Sequence, residues 1–180
     1  MANPGLRLLM KVLVIALLLS TTLLGTASAA DVAGSDDSAI ASFLSIGFAN
    51  APTQFSSIRG DQMGSASVHQ ATQWPDRTYF LHCYTLHQAP ISVGGVDAVA
   101  ERYSYSCSST LRSSPQATLF KMAEHAMRAN LPRGYASSGV EQGDLGPQEV
   151  WKRAGSPSVR LWVKVDQDKA YYELSVDVEP

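Results

Sequence analysis

Charge and cysteine are both scarce in this chain. Of its 180 residues, 17% are Asp, Glu, Lys or Arg, and two are cysteines, Cys83 and Cys107. No C-x-x-C pair occurs, so the redox and zinc signatures built on that spacing are absent. Basic residues do not outnumber acidic ones, 14 against 16, which excludes a general basic surface for nucleic acid. There is no G-x-S-x-G elbow; the nearest stretch, Gly134 to Gly139, has the wrong spacing. No glycine-rich phosphate loop follows a strand and opens a helix. Beyond Leu24 nothing is apolar for long enough to span a bilayer.

The one long apolar run stands at the start. Arg7 and Lys11, the run Val12 to Leu19 and the small-residue end Ala27-Ser28-Ala29-Ala30 read as a secretory signal peptide over residues 1–30. Its removal leaves 12 basic and 16 acidic side chains, a net charge of −4, and no membrane span. Residues 31–37 read as a flexible acidic leader, and 38–180 as one domain with enough chain to bury a core. Export to the periplasm or medium, with an even cysteine count, makes a disulfide the expectation.

Pairing arithmetic places that disulfide. Opposite residues of an antiparallel pair have a constant index sum, and Cys83 with Cys107 centres the turn on Gly95, beside Gly94, where glycine accommodates φ > 0. Thr78 to Thr110 is thus a stapled hairpin. Alternation puts Tyr79, Leu81, Cys83 and Thr85 on one face with Tyr103, Tyr105 and Cys107, and Phe80, His82, Tyr84 and Leu86 on the other, opposite Ser104, Ser106 and Ser108.

Elsewhere, Ile40 to Phe48 has helical spacing, and Pro52 opens a second short helix through Ile58, with Gly60 as terminator. Arg59-Gly60-Asp61 matches an adhesion tripeptide, but the glycine has a capping role there and the match is short. Asp61 to Arg77 reads as loop with a weak edge strand near Ser67 to Ala71. Pro115 opens the best helix, ended by Leu131-Pro132-Arg133-Gly134. Tyr135 to Gln148 reads as a long loop, followed by a strand around Val150 and a final hairpin. An index sum of 335 sets Val163 against Tyr172 and Leu161 against Leu174. The expected fold is α+β, two-layer: one antiparallel sheet of two hairpins plus one strand, helices on one face, in the order α-α-β-β-α-β-β-β.

His82 and His87 are five apart on a strand and so point to opposite faces, and His69 and His125 are distant, so no metal or other cofactor is expected. The outward sheet face carries Trp162 and Tyr171, with Arg160, Lys164 and Glu173 around them, while Phe80, His82 and Tyr84 hold the matching face of the stapled hairpin. Trp151 joins them if Val150 faces inward. Aromatics among short polar groups are the composition of a recognition surface, or of a second small core if helix or loop covers them. The sequence therefore points to a non-catalytic exported module binding a protein partner, an enzyme it inhibits or an envelope component. The alternative is a small secreted hydrolase acting on envelope or glycan substrates.

Overall fold

The computed structural model describes residues 28–65, 67–93, 96–143 and 145–180; the expected signal peptide lies outside them as far as Ala27. The chain divides at Ser35, and the larger unit is Asp36–Pro180. Helix α1, Ser28–Asn50, begins ahead of the expected start and includes residues 31–37. Asp36 belongs to the folded unit: its buried carboxylate accepts two bonds from Arg112, each 3.0 Å, and one from the Tyr172 hydroxyl at 3.3 Å. A buried carboxylate is stable only when paired in this manner.

From there Ile40, Phe43 and Leu44 recur at helical spacing and are buried. Gly47 continues the stripe because α1 crosses β10 closely; a Cβ there would meet Val176 Cγ2 at 2.5 Å. The expected second helix is instead two 3₁₀ turns, Ala51–Thr53 and Ser56–Ile58. Gln54 and Phe55 between them have φ of 51° and 60°, and left-handed residues end a right-handed helix. Complete burial beside Tyr105, ring centroids 6.2 Å apart, holds Phe55 there.

The fold is α+β, with more strands than two hairpins and one strand. Strands β1 (Arg59–Gln62), β2 (Val68–Ala71), β3 (Phe80–Gln88), β6 (Arg102–Ser109), β7 (Ala136–Gly143), β8 (Gly146–Lys152), β9 (Ser158–Asp166) and β10 (Lys169–Val178) form one antiparallel sheet, ordered β1-β2-β3-β6-β10-β9-β8-β7. Strands β4 (Ile91–Val93) and β5 (Val96–Val99) extend the β3/β6 hairpin as a separate pair. Helix α2 is Gln116–Asn130. The span expected to be a loop, Tyr135 to Gln148, holds the whole of β7 and the start of β8.

Both expected registers are present. Cys83 lies opposite Cys107 and is bonded to it, and Leu161 lies opposite Leu174. Leu174 in turn faces Cys107, so the four align across β3, β6, β10 and β9 on one buried face. In the first half the covalent bond stands where the second half has a leucine pair. Each half is a helix followed by strands that run outward-to-inward in the sheet, and the halves meet where β6 pairs with β10.

Side chains of each helix reach the sheet. Phe43 of α1 stacks on Tyr105 at 5.3 Å. On α2, Gln116 donates to the Val163 carbonyl, while Arg128 binds Glu149 at 2.5 Å and lies 5.8 Å over Trp151. Among the described residues no helix is long and apolar enough to cross a membrane.

Candidate functional site

The opposite face of the sheet collects four of the expected residues. His82, Ser108, Glu173, Trp162 and Gln148 lie in a line across five strands. The neighbouring line is Tyr84, Ser106, Ser175, Arg160 and Val150. Tyr171 lies opposite Lys164.

The two central strands, β6 and β10, are what make this face. Their short side chains, Ser104, Ser106 and Ser175, leave room for long ones from the flanking strands to lie across them, which buries the serines. Tyr84 reaches over β6 and donates to Glu173 at 2.8 Å. Lys164 approaches from the other side and binds the second oxygen of Glu173 at 2.6 Å. Arg160 stands 3.6 Å from Asp177. Burial first, then the Glu173 charge, pushes the Tyr84 phenol well above its ordinary pKa, so it remains a donor.

Trp162 is held by three side chains. Its indole N–H donates to Gln148, and Arg160 and Lys164, two residues away in either direction, lie over its ring at 4.8 and 5.1 Å. Side chains at i−2 and i+2 flank a strand residue on the same face, so the cations cover the ring faces and its edge meets solvent. His82 is exposed, and its imidazole makes no hydrogen bond to a described residue. Among the described residues no three His, Cys, Asp or Glu are grouped to hold a metal.

Phe80 and Trp151 do not reach this face. A register shift between Phe80 and His82 leaves Leu81 as an extra residue, exposing Leu81 and turning Phe80 inward. Phe80 is fully buried between Phe43 and Tyr172, each 6.2 Å away. Trp151 is 1% exposed, because Val150, not Trp151, faces outward. The pattern misled because the inner face of β8 carries a charge: Glu149 is buried there, bound by Arg128 and by the Ser137 hydroxyl.

Sequence reasoning missed Gln148, which lay in a presumed loop, and Asp177, whose role depends on Arg160 across the strand pair. No local signal marks either. Compared with models of protein families, with curated proteins and with solved structures, the chain matches none.

Proposed function

We propose that this chain is an exported, non-catalytic binding module, periplasmic or secreted, in which helices cover one face of the sheet and the other face recognises a protein partner. The partner is an enzyme that it inhibits or a component of the envelope. The observation that carries the reading is the outer face itself: Trp162, Tyr171, Tyr84 and His82 stand together, and Glu173 and Asp177 are already paired with Lys164 and Arg160. A partner docking here desolvates few unpaired charges, and Trp162 and Tyr84 are held before it arrives. A hydrolase of glycans is the less supported reading. The flanking cations occupy the ring faces of Trp162 on which a sugar would stack, and His82 has no bonded serine or carboxylate.

Affinity capture from the native periplasm or medium tests the reading, with wild type, Trp162→Ala and His82→Ala as baits and the melting temperature of each recorded. A protein captured by wild type should be lost from the Trp162→Ala bait, the contact weakening by about 2 kcal/mol or more. Equal capture by folded variants would sink the proposal.

A further inference from the structure

A cavity of about 680 Å³ opens at the end of the sheet, between the β8–β9 turn, the end of β10 and the residues that follow α1. Its volume falls within the roughly 300–1,000 Å³ common for small-molecule sites. The walls differ in character. Phe48, Pro52 and Val178 supply apolar lining, while Lys152, at the end of β8, and Arg153, just after it, supply basic lining. Both basic residues are exposed, and neither is ion-paired with a described residue; Arg153 donates only to the Arg133 carbonyl, at 3.2 Å. Two acids also line the cavity, but Asp177 is paired with Arg160, which leaves Glu179 alone against the two bases.

We propose that this cavity binds a small amphipathic carboxylate, its apolar body against Phe48 and Pro52 and its carboxylate toward Lys152 and Arg153. The surplus positive charge selects an anion. The apolar wall selects a body of several carbons, since burying it contributes about 25 cal/mol per Å². Orientation follows from α1, whose carboxyl-terminal end carries partial negative charge beside Phe48 and Pro52 and so favours the anion at Lys152 and Arg153. The cavity shares Asp177 with the outer face, but neither reading depends on the other.

Backbone NMR titration of the protein decides it, with N-acetyl-L-phenylalanine as a peptide carboxyl terminus and octanoate as a fatty acyl chain. N-acetyl-L-phenylalaninamide and octanamide serve as uncharged counterparts. One of the acids should give saturable shifts at Phe48, Gly155 and Val178, with its amide at least tenfold weaker; which acid does so identifies the source. The Lys152→Gln, Arg153→Gln double variant should keep the wild-type melting temperature and bind that acid at least tenfold more weakly. No saturable shift with either acid, equal binding of acid and amide, or unchanged affinity in the double variant would each overturn the assignment.

Discussion

Trp162 and Glu173 lie directly opposite each other on β9 and β10, and Lys164 serves both, bonded to the carboxylate while lying over the indole. This part of the outer face is therefore a coupled unit, and changes within it should not be additive. The double cycle of Trp162→Phe and Lys164→Met, followed by denaturant titration, should return a coupling of about 0.5–1 kcal/mol. Independent effects would mean that the stacked geometry does not persist in solution.

The two tryptophans should separate cleanly. Trp151→Ala empties a fully buried site and should cost about 3–5 kcal/mol. Trp162→Ala removes a half-buried ring and should cost about 1–2 kcal/mol, leaving a folded protein for binding measurements. Melting curves of the two variants check this ordering.

Leu174→Ala should destabilise by about 2–5 kcal/mol, because Leu174 is fully buried between Cys107 and Leu161. Val165→Ala, on the exposed end of β9, should change stability by no more than about 0.5 kcal/mol. Gly47→Ala should behave like the first, at about 1–3 kcal/mol, since Val176 occupies the space its Cβ needs.

The disulfide should resist reagents until the fold opens. Both sulfurs are buried, so a mild reductant with alkylating agent should leave native protein unmodified, whereas reduction in denaturant should add two alkyl groups by intact mass. Replacing both cysteines by alanine should lower stability by about 3 kcal/mol on the chain-entropy account.

Alkali should unfold the protein through its tyrosines. Burial raises the phenols of Tyr84, Tyr105 and Tyr172 above the ordinary value of 10.0, with the Glu173 charge adding to the rise at Tyr84. A neutral phenol favoured by the fold contributes its full stability below the unfolded pKa, and that contribution is lost as pH climbs from about 10 toward the folded value. Spectrophotometric titration should show these rings ionising together with loss of structure, later than the exposed ones. A single early transition of all seven tyrosines would contradict the burial.

Alternation made the two hairpins legible, because Cys83 with Cys107 and Leu161 with Leu174 are buried pairs, and a one-residue slip would expose them. It failed wherever the chain departs from strict period two. The extra residue at Leu81 moved Phe80 from the outer face to the core, and Glu149 on an inner face made Trp151 look like a surface residue. Strand β7 carried no signal at all: as an edge strand exposed along most of its length, it buries no face that would enforce alternation. The candidate site was legible as a set of side chains but not as a network. Tyr84 and Glu173 are 89 residues apart, and their bond exists only because serines intervene on β6.

The seam between β6 and β10 sets the order in which a chain delivered amino end first could complete itself. Strand β6 is made early and sits near the middle of the sheet, yet the partner for its open edge is β10, which arrives after every other strand. Until then the first half presents a row of unsatisfied peptide groups flanked by Tyr105 and Cys107. Such an edge invites pairing with any passing strand, and it closes only when Lys169–Val178 adds to it.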